Sequence, residues 1–399
     1  MRIGKIVDEA QTLHHRHHTL RELLEDISVR PLQGLLIAIG IIYASFKIVR
    51  FIAEGLITNV FDPLFVNSYQ PVLEKLSAGL GQKGFWHHLL IGQLVNNQID
   101  FKQSLGLLTT APYIEFAMVL PYIISFYFLL GLLEDIGYLP RLAILLDSWL
   151  HRLGLHGYAI IPMLLGFGCN VPGILSTRIL ESRRERFIAA TLISIGIPCV
   201  PLQAMIFNLL GRYSGFYVGA VYLFLFSIVL ILGTILNKSM KGYSPELLIE
   251  IPPYRFPPPV LLFKKLYLRI KGFLIEAVPI VLLGVLVINL MMFFKIFDSV
   301  TGIFAPIVRG LFGLPKEAAI ALAVGFLRKD VAAGMLVPLG LNVKQLFIAV
   351  TLLALSFPCI ATFVVLWKEL GLKDFIRAIM IMLGVSFIVG AFLNFVIVS

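Results

Sequence analysis

Three cysteines stand inside apolar stretches, each beside residues that do not continue a helix comfortably. The sharpest case is Gly166-Phe167-Gly168-Cys169-Asn170-Val171-Pro172-Gly173, where glycines and a proline crowd into one short run. Broken backbone at membrane depth persists where it faces protein or a water-filled cavity. There the freed carbonyls, the Asn170 amide and the Cys169 sulfur become available to a cation. Pro358-Cys359-Ile360-Ala361-Thr362 interrupts a later apolar run in the same way, because Pro358 has no amide hydrogen and leaves a carbonyl free one turn earlier. Cys199, between Pro198 and Pro201, repeats the pattern. Sulfur ligands suit Fe(II), Cu(I) or Zn(II) and not Mg(II) or Ca(II). No two cysteines are close in sequence, which excludes a structural zinc site of the CxxC kind. The competing reading is a kink around a buried, inert thiol. The Gly, Pro and Asn context favours ligation, with Cys169, Asn170 and Cys359 as the principal metal candidates and Cys199 as a further one.

Ionisable residues within apolar runs form a second class, since a charge deep in a bilayer is costly and tends to line a pathway or pair with another. Glu115 and Glu276 open two apolar runs and could relay protons or cations. Glu134 and Asp135 close the first of those runs, either as further ligands or as an interfacial helix end. Asp330, within Arg328-Lys329-Asp330, is a candidate too, although an ion pair holding a broken segment is the plainer role for that triplet. His14, His15, His17 and His18 could collect metal, but a polar linker explains them as well. His87 and His88 could assist metal entry from the outer side.

The elements that must position these residues are membrane helices. The chain is 58% hydrophobic and 14% charged, far from the balance of a soluble domain. Spans are expected at about 32–57, 111–133, 187–210, 215–236, 273–294, 346–366 and 375–397, each able to cross roughly 30 Å of hydrocarbon. The first thirty residues are polar and show no cleavable leader. Despite the net charge of +10, the basic residues sit between apolar runs, which marks cytoplasmic loops and not a nucleic-acid surface. Arg178, Arg183, Arg184 and Arg186, then Lys264, Lys265 and Arg269, then Lys368, Lys373 and Arg377 all fall inside when the amino terminus is cytoplasmic. Two apolar segments, 157–176 and 317–339, are broken near their middles and match at an offset of roughly 160 positions. Gly154-Leu155 corresponds to Gly313-Leu314, and Gly166-Phe167 to Gly325-Phe326. Three spans separate the equivalent starting points, so the halves should insert with opposite topology, as in many secondary transporters. The chain accordingly divides into a cytoplasmic helical linker (1–30), a first span with an outer segment (31–110), a first repeat (111–236), a proline-rich cytoplasmic loop (237–271) and a second repeat (272–399).

Several of these stretches resemble one family. Gly131-Leu132-Leu133-Glu134-Asp135-Ile136-Gly137-Tyr138, the Gly166 to Pro172 run and Thr177-Arg178-Ile179-Leu180-Glu181 are similar to the membrane part of FeoB, ferrous iron transport protein B. Gly325 to Asp330 and Phe357-Pro358-Cys359-Ile360-Ala361-Thr362 look like its second half. The resemblance implies an all-α polytopic membrane protein with two inverted gate-type repeats and broken or re-entrant helices. It implies Fe(II) as the transported substrate, Cys169 and Cys359 as gate cysteines, the cell inner membrane as the location, and as partners a GTPase unit and a small FeoA-like protein; a homo-oligomer is compatible with it. Where the family carries Arg-Leu-Pro near a third cysteine, this chain has Ile197-Pro198-Cys199-Val200-Pro201-Leu202, which leaves open both the role of Cys199 and a divergent substrate. No GxxxxGK[ST] phosphate loop occurs, so this chain is expected to bind no nucleotide and to be a transporter, not an enzyme. The alternatives are a gate-type permease for another divalent metal or a small nucleoside-like solute, and a membrane scaffold for a GTPase that carries nothing.

Overall fold

The computed structural model describes residues 20–81, 84–92, 94, 98–101, 104, 106–240, 242, 252–294, 302, 305–327, 329–356 and 358–398. All regular elements among them are helical. The histidine run 14–18 lies outside the described residues. The chain enters on a short helix α1 (Leu20–Val29) and turns at Arg30 into α2 (Pro31–Leu56), with Pro31 at the first helical position where its missing N–H costs nothing.

The first span does not stop near residue 57 as expected. Helical structure runs from Pro31 to Leu80, ending in α3 (Gln70–Leu80). At 1.5 Å per residue its 50 residues reach about 75 Å, more than twice a hydrocarbon core. Pro63 and Pro71 do not end it because each is preceded by a wide π-type turn, Ile57–Phe61 and Phe65–Tyr69, which re-routes the bonds their missing amides would have made. A short α4 (Phe85–Leu90) then folds back. Its His87 is buried and bonded through Nε2 to Ser77 Oγ at 2.8 Å, while His88 Nδ1 meets Asn289 Oδ1 at 3.1 Å. Both rings thus tie the outer segment together. Burial, and then the neighbouring His88, lower the pKa of His87. A histidine with a lowered folded pKa loses stability as pH falls through the unfolded value of about 6.5. Amide exchange across 77–90, corrected for intrinsic rate, should therefore quicken between pH 7 and 5.5, and a His87→Gln variant should lose that dependence. Equal profiles for the two proteins would refute the assignment.

The core follows as α5 (Leu120–Ile136), α6 (Tyr138–Arg152), α7 (Ile160–Gly168), α8 (Asn170–Ser176), α9 (Arg183–Gly196), α10 (Val200–Leu210) and α11 (Gly215–Ser239). After the proline-rich segment come α12 (Pro259–Phe293), α13 (Ala318–Leu327), α14 (Lys329–Leu336), α15 (Val343–Leu355) and α16 (Ile360–Val398), the last broken only at Gly371 (φ 74°). Two differences from the sequence expectation stand out. The amphipathic α6 was not anticipated; it lays Leu139, Leu142, Ala143 and Leu150 on the core after a corner at Gly137, whose φ of 92° needs a residue without a Cβ. The span expected at 273–294 begins at Pro259, so Lys264, Lys265 and Arg269 ride on the same helix.

The order α7-break-α8, α9-break-α10, α11 recurs as α13-break-α14, α15-break-α16. Packing between the halves is reciprocal. The α8–α16 contact is matched by α14–α10, and α9–α16 by α15–α10, while α9 and α15 touch one another. Contacts paired in this way are what a two-fold relation between two similar units produces. One continuous buried cluster spans both halves.

Candidate functional site

The helix breaks that carry the cysteines meet at one place. All three cysteines sit at the residue before a helix restarts, Cys169 ahead of α8, Cys199 ahead of α10 and Cys359 ahead of α16. Each is the residue whose carbonyl takes the first helical bond, from Gly173 N at 3.2 Å, Gln203 N at 2.9 Å and Phe363 N at 2.9 Å. The backbone is extended at Cys169 (φ −149°, ψ 133°) and at Cys199 (φ −69°, ψ 164°). Glycine and proline dictate this locally. Gly168 and Gly196 end the preceding helices, and Pro198 and Pro358 deny the next amide.

The three breaks line a single cavity of about 150 Å³. Asn170 and Glu115 share its wall, and Tyr122, Phe126 and Phe273 close it with aromatic surface. Asn170 is buried, and its Oδ1 accepts no hydrogen bond among the described residues, an unsatisfied acceptor on a residue of the cavity wall. Glu115, also buried, stands on a third π-type turn, Tyr113–Val119, held between Pro112 and Pro121. Cys359 Sγ lies 3.1 Å from Thr362 Oγ1. The cysteines do not form a ready-made cluster: among the described residues no group of three or more His, Cys, Asp or Glu is close enough to hold a metal ion. A cation here would find separate sulfur and oxygen donors that must draw together around it.

Other candidates fall elsewhere. Glu134 and Asp135 end α5 away from this cavity and pair with α12, through Lys265 Nζ to Glu134 Oε1 at 3.3 Å, Arg269 Nη2 to Glu134 Oε2 at 2.7 Å, and a further bond from Lys265 to Asp135. These cations offset two carboxylates placed at the negative end of a helix dipole. The side chains of Glu276 and Asp330 lie outside those described, as does Arg328.

Two residues of the site were not among the expected ligands. Lys329 lines the cavity and occupies the station of Asn170 in the second half, first residue of α14 as Asn170 is of α8. Its Nζ donates to Ala354 O at 3.3 Å. Ala354 stands four before Pro358, which has no N–H to give its carbonyl, and the ammonium donates there. Gln203 is the other. Its Nε2 donates to Phe167 O at 2.9 Å and to Pro198 O at 2.7 Å, bridging the two breaks of the first half. The repeat offset was the signal that could have found Lys329; nothing local marks Gln203.

With this geometry in view, the Gate family, described as nucleoside recognition, matches the chain twice, over residues 116–213 and 274–373, once on each half. Between them, residues 218–269 match the family described as the ferrous iron transport protein B C terminus. The chain belongs to the FeoB family. An Fe(2+) transporter FeoB of Methanocaldococcus jannaschii is 26% identical over 410 residues, covering 93% of this chain and 58% of that protein. One of Helicobacter pylori is 35% identical over 176 residues, 42% of this chain and 27% of the relative. An Fe(2+) transport protein A/Fe(2+) transporter FeoB fusion protein of Porphyromonas gingivalis is 30% identical over 237 residues, 57% and 27% respectively. The chain thus spans between about a quarter and three fifths of the length of these relatives, over their membrane part. No solved structure matches. The helices and the family together make this an all-α, multi-pass membrane protein.

Proposed function

We propose that this chain is the permease part of a ferrous iron transporter and carries Fe(II) toward the cytoplasm through the cysteine cavity. The observation that carries the reading is the meeting of all three cysteines and the unsatisfied Asn170 oxygen on one cavity at the helix breaks, in a chain of the FeoB family. Mixed sulfur and amide oxygen suits a borderline-soft divalent ion and discriminates against Mg(II) and Ca(II). Few donors, held apart until the ion arrives, suit a carrier that must also release it. Cys169 and Asn170 act from one half and Cys359 from the other, near the middle of the membrane, with Cys199 and Glu115 beside them. Rocking of the two halves about their shared α9–α15 contact opens the site to each side in turn.

The basic clusters between the apolar runs support an amino terminus on the cytoplasmic side of a cell's inner membrane. The fused name of the Porphyromonas gingivalis relative supports a FeoA-like protein as a partner, and a GTPase unit would gate the cycle. The test is uptake of radioactive iron, supplied as Fe(II), in a strain lacking its own ferrous iron transport. A Cys169→Ser, Cys359→Ser double variant should fall at least tenfold below the parent at equal membrane abundance; uptake at the parental rate would remove the cavity from the route.

A further inference from the structure

Beside the cysteine cavity lies a second and larger one of about 590 Å³. Tyr127, Val171, Pro172 and Phe273 line both, so the two spaces are separated only by the thickness of these side chains. Tyr127 and Phe273 are buried and pack in one cluster with Ile123, Leu130, Leu139 and Leu165. Beyond them the second chamber runs past Leu175 and Ser176 to Ile179, which is 48% exposed, and to Glu134 and Arg269. This is the end of the protein that carries the basic loops.

The partition is tied to the charges at that end. Arg269 precedes Phe273 by four residues on α12, so both project from one face of the helix. Its guanidinium lies 5.8 Å from the centre of the Tyr127 ring and holds Glu134 Oε2 at 2.7 Å. Lys265 reaches Glu134 and Asp135 from one turn further back. Phe273 cannot swing out of the partition by rotation of α12 without pulling Arg269 from Glu134. Release of that pair would in turn leave Glu134 on the chamber wall with Lys265 as its remaining partner, one of its two cation contacts given up.

We propose that the second chamber is the passage between the cysteine cavity and the basic-loop side, that a divalent cation crosses at Tyr127 and Phe273, and that Glu134, freed from Arg269, receives it. The proposal rests on the transport reading above, but its test uses no metal. The chain has three cysteines, all on the cavity wall, so the reaction of a charged, membrane-impermeant methanethiosulfonate with the protein in oriented vesicles reads access to that cavity alone. Phe273→Ala should raise the rate at least tenfold from the basic-loop side and leave the rate from the opposite side within twofold. Adding Leu175→Trp, which narrows the chamber without touching the cysteine cavity, should cut the raised rate at least fivefold. A protein loosened as a whole reacts from both sides and ignores the tryptophan. That result, or a Phe273→Ala rate equal to the parent's, overturns the passage. Because thiol access is read without iron, the passage can fail while uptake stands, and uptake can fail while the passage stands.

Discussion

Gly173→Val should abolish uptake and lower the melting temperature of the purified protein by ~5 °C or more. Helices α7 and α8 fold back on each other at the Cys169 break, and Gly173 meets Gly166 at their crossing. A Cβ at 173 would stand 2.9 Å from both Cα and N of Gly166 and 3.1 Å from the carbonyl oxygen of Pro162. All three obstacles are backbone, so no side-chain rotation relieves them. Overpacking of a core typically costs about 1–3 kcal/mol, and a clash with the backbone of the facing helix belongs at the upper end. The second half shows the tolerance of the motif. Ala332 stands where Gly173 does, and a Cβ added to Gly325, the counterpart of Gly166, would lie 3.3 Å from the Ala332 methyl. Alanine at 173 should therefore be milder than valine. Gly219→Val, on α11 where an added Cβ meets nothing within 4 Å, is the matched control and should leave both readouts unchanged. Uptake by Gly173→Val at the parental rate would mean that the close crossing does not position Cys169.

The breaks were legible because glycine and proline announce them in any environment. Cys169, Cys199 and Cys359 were found by their neighbours, and the same local chemistry puts all three at the residue before a helix restart. Their convergence depends on how two halves pack, so local chemistry does not give it; the repeat offset and the family resemblance brought Cys169, Asn170 and Cys359 to one expected site and left Cys199 open. Cys199 shows the limit of resemblance: the sequence departs from the family pattern around it, yet its place on the cavity wall follows from Pro198 and the end of α9. The first span runs past its expected end near residue 57 because a π-type turn ahead of Pro63 and another ahead of Pro71 let the helix pass, and no single-residue propensity encodes that. The triplet at 328–330 read as an ion pair because charges in lipid usually pair; the bond described for Lys329 goes to the Ala354 carbonyl, one turn before Pro358, a long-range contact that no local pattern marks.

Gln203→Leu should reduce iron uptake at least tenfold while the protein still inserts and folds. The amide bridges the carbonyls of Phe167 and Pro198, one from each break of the first half, and the bond to Pro198 is buried. Leucine keeps the volume and removes both bonds. Leaving a buried acceptor unsatisfied costs about 1–3 kcal/mol, which the Pro198 carbonyl would bear unless the backbone moves. Movement is the cheaper response, and it carries Cys169 and Cys199 away from each other, since each lies one or two residues from a released carbonyl. Gln203→Asn separates the two effects. Its amide keeps the donor but is one methylene shorter and cannot span both carbonyls, so it should recover part of the stability and little of the transport. If Gln203→Leu transports at the parental rate with an unchanged melting temperature, the cysteines are placed by the helix breaks alone and the bridge between them is dispensable.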